Sequence, residues 1–366
     1  MKKIAILVPD LMLGGGQRVA ISTADLLSVD NEVHIVTLSN ENNLFNTKHK
    51  IISLDVKKQN SIFGKLLNIA KRVSLYKKLL KKEKYDTTIS FLESANLCAF
   101  LSDRKTSILT MHNKLEMLAP FDQLMLKHVL KYSNNIVAVS QGLKDELVST
   151  CNLKNVTVIK NPVEPSLIQN LSNEYEFSHP RKFIISAGRL SYQKNFETMI
   201  DAYYASNASS EYDLVIAGDG EDYDKLKSKI KPDSNNVHLL GQVSNPFPII
   251  KQSAFYLQSS RTEAFPMAFL EALSLGKPLV AYNCPTGLTE LLKHMENGLL
   301  VDNNDFDGLV TAINKMTEDK ELYKTLSDNA LGSVQEFSPA NTHTLWMNLF
   351  DSILGYSKVG VEQFSK

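Results

Sequence analysis

Short apolar runs of four to six residues, each followed by a longer stretch with a three–four apolar repeat, alternate along the chain. The runs at 4–8, 33–38, 86–91, 107–111, 135–139 and 156–159 predict strands. The stretches at 16–28, 62–83, 94–101, 121–132 and 141–150 predict helices. Continuous apolar strands joined through helices are the pattern of parallel sheets covered on both faces. Residues 161–180 break the series with three prolines and many polar side chains, and read as a connection between domains. A second series follows, with strands at 183–187, 213–217, 237–240, 254–257 and 278–281 and helices at 195–208, 221–230, 246–252 and 266–275. Residues 337–355, with Trp346, Leu349 and Phe350, predict a last helix. The prediction is α/β throughout: two Rossmann-like, doubly wound parallel-sheet domains, residues 1–165 and 166–336.

Length supports the division, since 366 residues exceed one typical core. An apolar content of 43% and a charged content of 22% are those of a soluble globular protein. Forty basic and forty acidic residues cancel, so no bulk charge directs the chain to nucleic acid. Cys98, Cys151 and Cys284 are far apart and lack CxxC spacing, which argues against a disulfide framework or a zinc ribbon and for a reducing cytosol. Met1-Lys2-Lys3 followed by five apolar residues looks like the start of a secretion signal. The run ends at Pro9-Asp10, too early for one, and reads as a buried first strand. No apolar run approaches bilayer length, so the expected location is cytoplasmic, at most peripheral on a membrane.

Two stretches carry candidate chemistry. Residues 261–271 read R-T-E-A-F-P-M-A-F-L-E, with two glutamates eight apart. Pro266 suits the first turn of a helix, where its missing N–H costs nothing, and such a helix start favours an anion. Glu263 precedes that start, within reach of sugar hydroxyls, and Glu271 lies inside the helix, where a carboxylate can grip the two hydroxyls of a ribose. A core helix with one capping and one solvated glutamate accounts for this stretch equally well. Residues 183–195 read F-I-I-S-A-G-R-L-S-Y-Q-K-N, a buried strand and a Gly-containing loop opening a helix. Arg189 and Lys194, five apart on that loop, can converge on one diphosphate and stabilise it as it departs. Such a pair is more often plain surface charge; its place at the end of a strand favours the ligand reading.

Together these residues resemble the retaining glycosyltransferases of family 4, which have the GT-B fold of two Rossmann-like domains facing across a cleft. The resemblance rests on Gly188-Arg189, Lys194-Asn195, the Glu263 and Glu271 pair, Ala217-Gly218-Asp219-Gly220, Asn161-Pro162-Val163 and Gly14-Gly15-Gly16, and covers essentially the whole chain. It implies transfer of a hexose or N-acetylhexosamine, with retention, from a nucleoside diphosphate sugar, uridine favoured, to a glycan acceptor. A polyprenyl-diphosphate-linked acceptor in bacterial surface-glycan synthesis fits that family setting, and no metal or other cofactor is implied. By the same resemblance Gly188, Arg189 and Lys194 hold the diphosphate, and Glu263 orients the sugar. Ala264, Phe265, Pro266 and Met267 line the phosphate and sugar, and Glu271 binds ribose. Asn161 and the turn Gly241-Gln242-Val243 line the base pocket. His112, at a strand end, lies over the donor sugar, although a lone histidine is otherwise more often structural. Glu93 orients the acceptor or caps the helix beside it, and the last helix crosses back onto the first domain.

Gly15 and Gly16 either let the backbone approach the donor diphosphate or acceptor, or simply make a tight strand–helix turn. As a dinucleotide fingerprint the loop reads Gly14-x-Gly16-x-x-Val19, lacking the third glycine, and Glu41 is a late substitute for the ribose acid, so a dehydrogenase is disfavoured. A sugar-nucleotide epimerase or phosphorylase of the same fold and a non-catalytic glycan-binding protein stay as alternatives. Asp219-Gly220-Glu221 is no Asp-x-Asp metal motif. Residues 302–308 lack the ligands of an EF-hand and read as a solvated turn. Residues 57–84 hold ten basic residues against Glu83 alone. Ile62, Leu66, Ile69, Val73, Tyr76 and Leu80 form one apolar stripe. The basic remainder (Lys65, Lys71, Arg72, Lys77, Lys78, Lys81, Lys82) suits an anionic membrane surface.

Overall fold

The computed structural model describes every residue except 13, 41–46, 58, 60, 61, 233, 234 and 356–366, so Glu41 lies outside the described residues. The chain divides into two compact units, Met1–Pro162 with Pro339–Lys366, and Val163–Ser338. The first contains β1 (Lys3–Val8), α1 (Gly15–Leu27), β2 (Glu32–Thr37), β3 (Lys50–Ser53), α2 (Ile62–Glu83), β4 (Thr87–Phe91), α3 (Glu93–Ser102), β5 (Ser107–Met111), α4 (Pro120–Tyr132), β6 (Asn135–Ala138), α5 (Gln141–Cys151) and β7 (Val156–Val158). The second contains α6 (Pro165–Leu171), β8 (Lys182–Ala187), α7 (Phe196–Ala205), β9 (Tyr212–Ala217), α8 (Tyr223–Lys229), β10 (Val237–Leu239), α9 (Phe247–Gln252), β11 (Tyr256–Gln258), α10 (Met267–Ser274), β12 (Leu279–Asn283), β13 (Gly298–Asp302), α11 (Phe306–Glu318) and α12 (Lys320–Ala330). The last helix, α13 (Pro339–Leu354), belongs to the first unit.

Both sheets are parallel and doubly wound, as the sequence pattern predicts. Their orders are β3-β2-β1-β4-β5-β6-β7 and β10-β9-β8-β11-β12-β13. In each, the chain starts at a central strand, runs outward to one edge and then returns to build the other side. The order therefore reverses beside β1 in the first sheet and beside β8 in the second, and loops leaving the carboxyl ends of the strands there frame a crevice. Central position explains composition: Ile4, Ala5, Ile6, Leu7 and Val8 of β1 are all buried, as are Phe183, Ile184 and Ile185 of β8. Each large apolar side chain so buried contributes roughly 2 kcal/mol. α13 seats Trp346 and Phe350 in the first unit, with His343 Nε2 3.1 Å from Asp30 Oδ2 and Lys2 Nζ 3.4 Å from Asp351 Oδ1.

Several elements escape the sequence pattern. β3 is a largely exposed edge strand with little apolar signal. β13 begins at Gly298, where a Cβ would stand 2.3 Å from Leu279 O, so close strand approach selects a residue that hides the strand. The stretch expected as a solvated turn at 302–308 is an exposed turn that links the end of β13 at Asp302 to α11, which it caps, with Asp305 Oδ1 accepting from Gly308 N at 2.9 Å. The expected connection at 161–180 contains α6, which packs on α9 and α10. Pro266 stands one position before α10 rather than in its first turn, and its carbonyl accepts from Phe269 N at 3.0 Å.

Candidate active site

The order of the second sheet makes β8 and β11 neighbours, so the loops that follow them meet although 69 residues separate their key side chains. Lys194 Nζ donates to Glu263 Oε1 at 2.5 Å, and Gln258 Nε2, at the end of β11, donates to the same oxygen at 3.1 Å. Glu263 is only 6% exposed, so its carboxylate is held by a cation and an amide inside the protein. The backbone around this pair is stitched equally closely. Arg261 N donates to Gln193 O at 2.8 Å, Gln193 Nε2 to Thr262 O at 2.9 Å, and Ser259 Oγ to Asn195 O at 2.8 Å. Asn195 takes a left-handed conformation (φ 55°) and its Oδ1 accepts from Thr198 Oγ1 and from Arg261 Nη2. A third strand-end loop joins, as Thr286 Oγ1 donates to the Glu263 carbonyl. Thr286 has φ 78°, a costly conformation for a β-branched residue that concentrates at functional sites.

Arg189 leaves the same loop but is 75% exposed on its side chain, with Nε 3.1 Å from Glu221 Oε2. Gly188 sits in a ladder of strand ends. Gly188 N donates to Ala217 O at 3.0 Å, Gly218 N to Gly241 O at 2.8 Å and Leu190 N to Asp219 O at 3.0 Å. Gly218 is there because no side chain fits: a Cβ would lie 1.9 Å from Gly188 O. Gly241 has φ 69° and opens the turn that contains Val243. Ala264 and Phe265 are buried, Phe265 edge-on to Phe337 at 5.8 Å, and lead through Pro266 into Met267, the first residue of α10. Glu271 is buried within α10. Tyr256, in β11, clamps the end of β8: its hydroxyl donates to Ala187 O at 2.7 Å and accepts from Ala187 N at 3.1 Å. Burial, with Glu263 and Glu271 nearby, pushes its phenol well above the ordinary range.

The other candidates lie in the first unit, at its own point of reversal. A Cβ on Gly16 would stand 2.8 Å from Leu92 Cδ2, so the turn into α1 and the loop after β4 touch, whereas Gly15 has nothing near it. Leu92 itself has φ 70°. Glu93 is the first residue of α3, and its Oε1 accepts from Asn113 Nδ2 at 3.0 Å. His112 stacks on Phe91, ring centroids 5.2 Å apart, with Nε2 2.9 Å from Thr110 Oγ1. Asn161 is buried and shares with His112 the lining of a small pocket in this unit. Burial pushes the His112 imidazole down to about 4. The folded state therefore holds it neutral, while the unfolded chain takes up a proton below about pH 6.5. The stability this contributes is present above that value and is lost as pH falls towards 4, by at most about 3 kcal/mol. Unfolding free energies measured at pH 7.5 and pH 4.5 are expected to differ less in His112→Gln than in the wild type.

The first unit also holds a cavity of about 400 Å³ beside α2, α3 and α4. Its wall includes Ile69, Leu97, Met125 and Val129, with Glu93 and Arg72 among the polar lining groups. Arg72, counted from sequence among the outward basic residues of the helix, instead turns partly inward. Its Nη2 donates to Val56 O at 3.2 Å, its Nε is buried without a hydrogen bond, and burial lowers its pKa. Lys65, Lys71, Lys77, Lys78, Lys81 and Lys82 are exposed, Tyr76 is buried, and Leu66 at the start of the apolar stripe is exposed. No helix among the described residues is long and apolar enough to cross a membrane.

The protein is thus an α/β protein of two parallel, doubly wound units, the second with a lysine–glutamate pair at its point of reversal. Residues 13–167 match the model of Glycosyltransferase Family 4 and residues 168–332 that of Glycosyl transferases group 1. An uncharacterized glycosyltransferase of Methanocaldococcus jannaschii is 31% identical over 67% of each chain. A Campylobacter jejuni enzyme is 24% identical over 96% of this chain and 99% of its own. Its name is GalNAc-alpha-(1->4)-GalNAc-alpha-(1->3)-diNAcBac-PP-undecaprenol alpha-1,4-N-acetyl-D-galactosaminyltransferase. Among solved structures, Anabaena HepE in complex with UDP and glucose superposes with a TM-score of 0.80 at 19% identity, covering 96% of this chain and all of that one. The chain belongs to the family 4 glycosyltransferases and has the GT-B fold.

Proposed function

We propose that this protein is a retaining transferase that moves a hexose or N-acetylhexosamine from a UDP-sugar to a lipid-linked bacterial glycan. The observation that carries the reading is the pair of half-buried Lys194 and buried Glu263 on two loops at the reversal of the second sheet, with Arg189 on the same loop as Lys194. The UDP bound to HepE and the undecaprenol-linked acceptor in the Campylobacter enzyme's name support the choice of donor and acceptor. In this reading Lys194 exchanges part of its contact with Glu263 for the donor diphosphate, and Arg189 swings from Glu221 to the same group. Both cations neutralise charge as the sugar–oxygen bond breaks, when a fixed cation helps most. Glu263, held in place by Gln258, accepts hydroxyls of the sugar, and the first amides of α10, which lack partners within the helix, face the phosphate or sugar. Glu271 binds the ribose. The acceptor attacks from the face the diphosphate leaves, and the diphosphate takes its proton. With charge neutralised by arginine, lysine and a helix start, no step calls for a metal.

The deciding experiment incubates the protein with a panel of UDP-sugars and a polyprenyl-diphosphate-linked acceptor, with magnesium and with chelator, and determines the product's anomeric configuration by NMR. Transfer with retention supports the reading, whereas sugar-nucleotide isomerisation without acceptor would replace it by an epimerase. Glu271→Ala is expected to weaken UDP binding by roughly ten- to a hundredfold, the loss of a charge-assisted hydrogen-bond pair. Calorimetric titration checks it, and unchanged affinity removes the ribose role. We further propose that the lipid-proximal end of the acceptor enters the cavity beside α2, its anion towards Arg72 and its apolar chain along Ile69, Leu97 and Met125. The exposed lysines of α2 would then rest on the anionic membrane that carries the acceptor. Arg72→Ala is expected to raise the acceptor KM roughly tenfold while leaving UDP binding unchanged.

A further inference from the structure

At the amino-terminal end of the second sheet, away from the strand ends that carry Gly188, Gly218 and Gly241, three metal-ligating side chains converge. His179 Nε2 lies 2.8 Å and His238 Nε2 3.2 Å from the same oxygen, Oδ2 of Asp213, and the three ligand atoms all lie within 4.8 Å of one another. Asp213 is the second residue of β9 and only 2% exposed; His238 is in β10; His179 is on the chain entering β8. Five residues of strand, roughly 16 Å, separate Asp213 from Gly218. We propose that this cluster binds a late first-row divalent cation of the zinc type, as a site separate from the transferase chemistry.

Two imidazoles and one carboxylate are the donor set that such ions prefer, and three protein ligands leave a fourth position for water. Metal–ligand bonds of about 2.0–2.1 Å in a tetrahedron place ligand atoms about 3.3–3.4 Å apart. The distances of 2.8 and 3.2 Å are close to that, so small side-chain rotations admit the ion. The surroundings are those of a supported site. Arg181 Nη1 stands 3.2 Å from the other oxygen, Asp213 Oδ1, and Arg181 Nη2 donates to Ser210 O at 2.6 Å, which fixes the carboxylate's orientation from outside. Arg181 is partly exposed, so solvent screens its charge from the ion. Phe177 stacks on His179 at 5.8 Å with ring planes 6° apart, and Phe183 packs against its edge, holding the imidazole. The side chain of His238 is 29% exposed, which leaves a path for entry. Each Nε2 already faces the carboxylate oxygen, so an ion bound there draws on an unprotonated Nε2 from each ring. The bound ion ties the segment before β8 to β10, on the other side of β9, and so stabilises the second unit.

The test uses the full chain, tag-free, treated with chelator and desalted, and titrated with Zn²⁺ by calorimetry and with Co²⁺ by visible absorption. One equivalent is expected to bind with tetrahedral cobalt bands and a thermal midpoint that rises with zinc concentration. His238→Ala and His179→Ala are each expected to weaken binding by roughly a hundredfold or more, with unchanged far-UV circular dichroism and unchanged UDP affinity. Absence of saturable binding, or binding that survives in both variants, overturns the site.

Discussion

Lys194→Met is expected to lower turnover by roughly three orders of magnitude, the scale of removing one fixed electrostatic stabiliser of a departing charge. The substitution keeps most of the stem's volume and removes only the cation. It also strands Glu263, which is nearly fully buried and keeps the Gln258 amide at its Oε1 in place of a cation, so a folding cost of about 3 kcal/mol is expected beside the kinetic loss. The two effects separate in the double variant Lys194→Met with Glu263→Gln. Removing both charges restores stability in urea unfolding, because no buried ion is left unpaired, but turnover stays low. Arg189 behaves differently: exposed and paired with Glu221, it can be replaced by alanine with a stability change within about 0.5 kcal/mol. Adding Arg189→Ala to Lys194→Met is expected to bring turnover below detection. Near-wild-type turnover in Lys194→Met would remove these residues from the chemistry.

Gly218→Ala is expected to be the most damaging single-methyl change in the second unit, at about 3 kcal/mol or more. Its Cβ would stand 1.9 Å from Gly188 O and 2.9 Å from Gly188 C, and both are backbone atoms that no rotamer change can move. The ends of β8 and β9 must separate, which displaces the loop bearing Arg189 and Lys194, so UDP binding falls with stability. Gly15→Ala supplies the contrast. Its Cβ meets nothing within 4 Å, it is the first residue of α1, and alanine there is expected to change stability by at most about 0.5 kcal/mol. Equal thermal midpoints for the two variants would contradict the close-approach account.

Much of the fold is legible from sequence because its strands are buried on both faces and its helices on one. β1 and β8 carry continuous apolar runs of the kind that buried strands need, and α2 shows its periodicity over its full length, Ile62–Glu83. Legibility fails where burial is partial or where a glycine opens a strand, as in β3 and β13. The candidate site is legible in part: Lys194 and Glu263 stand out by residue type and by their places beside predicted elements. Gln258, Asn195 and Thr286 do not stand out, because uncharged polar residues at strand ends are common and only their partners distinguish them. Arg72 departs from the helical pattern for a related reason. The helical pattern puts it on the border between the two faces, and the neighbouring helices decide which way a long side chain turns.

The α/β alternation, the two-part organisation and the residue types available for diphosphate chemistry can all be read along the chain. All three depend on local periodicity and on short motifs. The tertiary structure alone decided which of those residues meet. Lys194 reaches Glu263 because β8 lies beside β11, and Gly218 needs to be glycine because β9 ends against Gly188. His179, Asp213 and His238 share one oxygen because the chain entering β8 reaches Asp213 in β9 and His238 projects from the adjacent β10. Strand order arises from the packing of whole elements against one another. The apolar pattern within any one element does not encode it.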